Sequence, residues 1–203
     1  MTYLTAFQES LIGNNFVVLD TETTGLQAGE IVSIAIIDNH GETLLNTLVK
    51  PKNPIPADAT RIHGITDAMV RDAPNWPEIA RIVELKTQGK NVVVYNAVYD
   101  RRMMHQSSRL WDYQEPIWKE ISTYFCAMEA FAEAYGHFNE YHGGYRWQSL
   151  ATAYRHVTGR PWEQEHGALL DCLSTLKVVD WLLDLGDQFD ADAYGNKDIS
   201  GDL

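Results

Sequence analysis

The chain has 203 residues, 45% of them hydrophobic and 11% aromatic, which suits one compact domain with a sizeable core. Its formal net charge of −12 argues against a protein that grips duplex nucleic acid through a basic stripe. No apolar run approaches the roughly 20 residues of a membrane helix, the N-terminal segment lacks the features of a signal peptide, and Cys126 and Cys172 fit neither a zinc motif nor a disulfide scaffold. The expectation is a cytoplasmic protein with no membrane contact and two buried free thiols.

Taken in chain order, residues 16–19 (FVVL) read as a buried strand ending at Asp20, and residues 31–37 (IVSIAII) as a second. A third spans 44–49, with His40-Gly41 as the turn, which suggests an antiparallel meander. Residues 51–56 form a proline-punctuated loop, and Trp76, Ile79, Ile82, Val83 and Leu85 recur at helical spacing. Residues 91–95 (NVVVY) predict a strand, followed by a helix over 97–110 with Asn96 as its cap. A strand over 120–125, a helix to Tyr135, and a glycine- and aromatic-rich loop over 137–147 come next. Helices follow over 148–156 and 167–185, the latter with a core stripe of Leu169, Leu173, Leu176, Val179 and Leu183. Early hairpins followed by alternating helices and strands define an α/β fold with a mixed central sheet flanked by helices.

Three clusters carry candidate chemistry. Asp20 and Glu22 are placed directly after the first buried strand, and in extended backbone residues i and i+2 share a face. Two like charges about 4 Å apart repel by roughly 4 kcal/mol at an effective dielectric of 20, and a bound cation relieves this. All-oxygen donors favour Mg²⁺ or Mn²⁺ over zinc. Asp100 lies early in the helix after the fourth strand, at the end of a sheet where ligand sites gather. His166 precedes the last helix and Asp171 lies in its first turn, so an imidazole that titrates near neutral pH sits close to a carboxylate. Alone, each has a plainer reading: a solvated turn, or a carboxylate favoured by a helix dipole. His40, His63, His105, His137, His142 and His156 take that plainer reading.

Together, the motifs FVVLDTETTGL, NAVYD and HGALLD resemble those of the DEDDh exonucleases, the superfamily that includes the proofreading subunit of bacterial replicative polymerases and ribonuclease T. The segment RIHGITDAMV, residues 61–70, resembles a recurring stretch of the same family, and the resemblance covers residues 16–185. It departs from many relatives at Tyr95, where they have His, and at Tyr99, where they have Phe.

The resemblance implies a ribonuclease H-like fold over residues 1–185. It implies a metal-dependent 3′-to-5′ exonuclease that acts on single-stranded or frayed 3′ ends, DNA favoured, and releases nucleoside 5′-monophosphates. Asp20, Glu22, Asp100 and Asp171 would hold two divalent cations, Mg²⁺ or Mn²⁺, and His166 would deprotonate the attacking water. Thr23, Gly25, Leu26 and Asn96 would meet the substrate, with Leu26 as a wedge against the last base. Short RNA is the runner-up substrate, and a fold-only scaffold docked on a polymerase is the alternative from another class. A polymerase or other protein partner and a homodimer are left open.

In the aromatic loop, Tyr141, Tyr145 and Trp147 are candidates for base stacking, with core packing at least as strong a reading for Trp147. Residues 186–203 are expected to form a disordered acidic tail. From Asp184 onward six aspartates face one lysine, and the spacing of Asp190, Asp192 and Gly195 fails as a calcium loop.

Overall fold

The computed structural model describes residues 1–13, 15–114, 118–141, 143–162 and 167–195, with backbone alone at 119 and 186–195. An N-terminal helix, α1 (Tyr3–Leu11), precedes the first strand and buries Phe7 and Leu11. Its start is fixed by Thr2, whose hydroxyl accepts the N–H of Thr5. Then follow β1 (Phe16–Thr23), β2 (Ile31–Asp38) and β3 (Thr43–Leu48). The first strand is thus longer than its apolar run suggests, and Asp20 and Glu22 lie inside it rather than after it. The β2–β3 turn is closed by Asp38, whose carboxylate accepts the N–H groups of His40 and Glu42, while Gly41 takes a φ of 86°.

Two short helices, α2 (Ala57–His63) and α3 (Asp67–Val70), occupy the stretch after the proline loop. Helix α4 (Trp76–Thr87) starts with a capping box between Asn75 and Glu78. It buries Trp76, Ile79, Ala80 and Val83, while Ile82 is partly exposed and Leu85 is 74% exposed. The apolar spacing identified the helix but placed Ile82 and Leu85 on the wrong face.

Strand β4 (Asn91–Val94) leads into α5 (Ala97–Leu110). The strand expected over 120–125 resolves into α6 (Trp118–Ile121) and β5 (Thr123–Cys126). Helix α7 (Ala127–Tyr135), a small hairpin of β6 (Phe138–Asn139) and β7 (Gly144–Tyr145), and α8 (Leu150–Thr158) come next.

The last helix, α9 (Ala168–Gly195), continues well past Leu185, as no proline interrupts residues 186–195. The first part of the acidic segment is therefore helical backbone. The face of α9 turned to the core carries Ala168, Cys172, Thr175, Leu176, Val178, Val179 and Leu182. Leu176 and Val179 of the expected stripe are thus buried and Leu169 and Leu183 pack against the core, whereas Leu173 is 36% exposed. The expected stripe fails only at Leu173, where the neighbouring Cys172 lies close over the sheet instead. Its Sγ is 3.6 Å from the Val18 carbonyl oxygen and 3.5 Å from that of Ala35, a distance that a small side chain permits.

The five main strands run in the order β3-β2-β1-β4-β5. β1 pairs antiparallel with β2 and parallel with β4, so the sheet is mixed. Seven of the eight positions of β2 are buried, so both faces of the sheet are covered. Helices α1, α7, α8 and α9 contact one another in one group, and α4, α5 and α6 in another. Cys126 and Cys172 are both buried free thiols, as expected.

Candidate active site

The parallel register places Val18 beside Val93, so β1 and β4 end at the same edge of the sheet. That edge presents Asp20 and Glu22 from β1 and the start of α5 from the end of β4. Asn96 caps α5, its Oδ1 accepting the Tyr99 N–H at 3.4 Å, and this sets Asp100 in the first helical turn. Asp100 Oδ1 accepts the backbone N–H of Thr21 at 3.1 Å and the Thr21 hydroxyl at 2.7 Å. Asp171 enters from the first turn of α9, where its N–H donates to the Gly167 carbonyl at 3.0 Å.

One oxygen from each of Asp20, Glu22 and Asp171 lies within 4.8 Å of the others. The electrostatics follow from that crowding. Burial, then the charges of Asp100, Asp171 and Glu22, hold the Asp20 carboxyl well above the usual carboxylate range. Burial, then Asp171 and Asp100, push Glu22 up to about 8. Asp100 is raised by burial, against the lowering effect of its Thr21 hydrogen bonds. Among the described residues, no lysine or arginine forms a salt bridge with Asp20, Glu22 or Asp100. Glu22 Oε1 is buried with no hydrogen-bond partner among the described residues. Oxygen donors held together against their own repulsion, one of them unsatisfied, fit a hard divalent cation.

Beside the carboxylates lies a hollow of about 550 Å³, lined by Glu22, Thr23, Gly25, Leu26, Ile62, His63 and Tyr99 among others. Thr23 is buried and its hydroxyl bonds to that of Tyr99. The Tyr99 hydroxyl also lies 3.3 Å from the Gly25 carbonyl. The loop is pinned further by Arg102 Nη2, which donates to the Leu26 carbonyl at 2.8 Å, and by Gln106 Nε2, which donates to the Gln27 carbonyl at 2.7 Å. Leu26 itself is 75% exposed at the mouth.

The structure therefore brings Asp20, Glu22, Asp100 and Asp171 together and sets Thr23, Gly25 and Leu26 beside them. Asn96 acts on the described residues as a helix cap. His166 and His142 lie outside the described residues. Tyr99, Ile62 and His63 were not singled out from sequence as site residues. The only signal for them was the quoted segment RIHGITDAMV and the aromatic ring in NAVYD. His63 is buried with Nδ1 accepting the Ile65 N–H at 3.0 Å, and it borders the hollow rather than an unrelated surface. Glu30 is a further buried carboxylate. It is satisfied by the N–H groups of Lys52 and Asn53 and by Asn53 Nδ2, so it clamps the proline loop that leads to α2.

A mixed five-stranded sheet flanked by helices, with clustered carboxylates at the strand ends, defines a nuclease of ribonuclease H-like fold. The chain belongs to the exonuclease (RNase_T) family, whose model matches residues 17–179, and it is a hydrolase of that family. It is 42% identical over 173 residues to exonuclease CP81 of Escherichia phage 186, covering 82% of this chain and 87% of that protein. It is 30% identical over 167 residues to exodeoxyribonuclease 10 of Escherichia coli K12, covering 80% of this chain and 66% of that protein. A 34% match to a DNA polymerase III subunit epsilon-like protein of Rhodobacter capsulatus covers 80% of this chain but 23% of that one. Among solved structures, exonuclease X in complex with 5′-overhanging duplex DNA aligns with a TM-score of 0.60 at 29% identity, covering 84% of this chain and 93% of that chain. The E. coli exonuclease I–single-stranded DNA complex aligns with a TM-score of 0.66 at 17% identity, covering 90% and 43%, and shows the shared fold. Among the described residues, no helix is long and apolar enough to cross a membrane.

Proposed function

We propose that the chain is a 3′-to-5′ exonuclease that acts on single-stranded or frayed DNA ends and releases nucleoside 5′-monophosphates. The observation that carries this reading is the convergence of Asp20, Glu22 and Asp171 within 4.8 Å, beside the hollow that Gly25 and Leu26 line. Asp20, Glu22 and Asp171 would hold one divalent cation, Mg²⁺ or Mn²⁺, with Asp20 shared with a second and Asp100 supporting the site. Two such cations, when bound, offset the negative charge that builds on the phosphate and its leaving oxygen during hydrolysis.

The remaining roles fall to the chain's own groups. His166, which precedes Gly167 in the sequence, takes the proton of the attacking water. The backbone at Thr23 and Gly25 meets the terminal 3′-hydroxyl, and the exposed Leu26 side chain wedges against the last base. Asn96 fixes the turn that faces the substrate. The P–O3′ bond breaks, and the phosphate leaves on the terminal nucleoside's 5′ oxygen.

DNA is favoured because relatives carry the names exodeoxyribonuclease 10 and DNA polymerase III subunit epsilon. An unpaired 3′ end is favoured because a net charge of −12 opposes wrapping a duplex. The 5′-overhanging duplex bound by exonuclease X would have to fray at its recessed 3′ strand to fit this reading. Buried free thiols suit a reducing cytoplasm. The polymerase-subunit relatives also make a polymerase a partner to test by co-purification.

The deciding experiment incubates purified protein with 5′-labelled single-stranded DNA and RNA side by side, in Mg²⁺, in Mn²⁺ and in EDTA. Stepwise shortening of DNA from the 3′ end, slower on RNA and halted by EDTA, is expected. Intact DNA in both metals rejects the proposal.

A further inference from the structure

We propose that the β6–β7 hairpin and the head of α8 form a track that holds the single strand upstream of the cleaved end. The inference rests on the exonuclease reading, and a different set of residues carries it.

The first observation is charge. In a chain of net charge −12, residues 141–162 contain Arg146, Arg155 and Arg160 and not one aspartate or glutamate. All three arginines are exposed. The absence of a basic stripe, true of the chain as a whole, fails over this segment.

The second is aromatic exposure. Trp147 is 64% exposed and Tyr141 91%, so the core-packing reading of Trp147 is excluded. Phe138 and Tyr145, also exposed, meet edge to face across the hairpin with ring centroids 5.4 Å apart. Tyr145, Arg146 and Trp147 border a hollow of about 640 Å³. Rings that stay in water at this level cost solvation, and they offer flat faces on which any base can stack. Glu140 borders an adjoining hollow with Arg146, so the positive charge there is tempered rather than uniform.

The third is continuity with the candidate site. The Tyr95 hydroxyl donates to the Gln148 carbonyl at 2.9 Å, and Gln148 Nε2 donates to the Arg146 carbonyl at 2.9 Å. Tyr95 directly follows β4 and directly precedes the Asn96 cap of α5. The exit of the hairpin is therefore tied to the sheet edge that presents Asp20, Glu22 and Asp100. A strand whose 3′ end lies against Leu26 has this surface as the aromatic and cationic continuation of its path. Rings for bases and arginines for phosphates select single-stranded nucleic acid over an acidic or purely apolar partner.

The test measures anisotropy of 5′-fluorescein-labelled oligo(dT) of about 12 nucleotides in EDTA, so that cations add nothing to binding, across a NaCl series. Arg146 is the arginine of the hairpin exit, whereas Arg155 and Arg160 lie at the far end of α8, so one arginine–phosphate contact predicts a log–log salt slope of about −0.7 on single strands. Trp147→Ala combined with Tyr145→Ala should weaken binding about fivefold or more, Trp147→Phe should restore most of it, and Arg146→Gln should flatten the slope by about 0.7. These side chains are exposed, and circular dichroism checks that each variant is folded. No binding by the unmodified protein, or equal affinity in the aromatic double variant, overturns the track. Cleavage is followed separately in Mg²⁺. A protein that binds through the hairpin but does not cleave counts against the exonuclease reading and supports the track, whereas cleavage with hairpin-independent binding overturns the track alone.

Discussion

Asp100 and Thr21 are joined twice through a single carboxylate oxygen, which accepts both the backbone N–H and the hydroxyl of Thr21. Thr21 stands between Asp20 and Glu22 in β1, so this pair of hydrogen bonds fixes the strand that carries two candidate ligands against the helix that carries a third. Thr21→Val keeps the shape and removes the hydroxyl donor from a buried carboxylate. It should destabilise the protein by about 1–3 kcal/mol and lower cleavage. Urea unfolding together with kcat on single-stranded DNA checks this, and unchanged stability would show that the pair does not brace the site.

The Tyr99 hydroxyl joins Thr23 to the Gly25 carbonyl. Tyr99→Phe leaves the ring and frees the loop that lines the hollow. The expected outcome is a KM for oligonucleotide raised several-fold with a smaller change in kcat, and a stability loss of about 1 kcal/mol. A fall in kcat with KM constant would place the hydroxyl in the chemical step instead.

The clustered carboxylates make metal-free stability depend on pH. Glu22 moves from its ordinary 4.5 up to about 8 through burial and the charges of Asp171 and Asp100, and Asp20 is raised for the same kinds of reason. The folded state therefore holds protons that the unfolded chain has released, and stability falls as pH rises from the ordinary carboxylate range toward about 8. In EDTA, Tm should drop over that window. Glu22→Gln should flatten the drop, and Mg²⁺ should reverse it by binding the folded carboxylates. A flat Tm profile for the metal-free protein would contradict the crowding.

His166→Ala should lower turnover by about 10²- to 10⁴-fold, the usual scale for a lost acid–base group. Imidazoles titrate near 6.5, and the neutral form is the base, so cleavage by the unaltered protein should fall as pH drops through that region. The variant should lose this acid limb. A limb that persists unchanged in the variant assigns the proton to another group.

The motifs that hold Asp20, Glu22, Asp100 and Asp171 were legible in the chain because each sits in a local pattern: a β-branched run, a capped helix start, the first turn of an apolar helix. Local patterns determine element type and order, and these suffice for a mixed α/β sheet and for the chemistry of an all-oxygen ligand set. What they leave undetermined is which atoms meet across long separations. That Asp100 grips Thr21, that Tyr99 rather than any charged group braces Thr23, and that Tyr95 anchors the aromatic hairpin through Gln148 depend on the parallel pairing of β1 with β4. The choice of face was equally non-local. Periodicity identified α4 and α9 but set Leu85 and Leu173 inward, because it weighs hydrophobicity alone. Close packing instead placed Cys172 over β1 and β2, where the gap beneath the helix admits a small side chain. Trp147 shows the same dependence: the sequence left base stacking and core packing both open, and only the tertiary structure decided that its ring faces water, because the segment that carries it is tied to the sheet edge through Tyr95 and Gln148 rather than folded into the core.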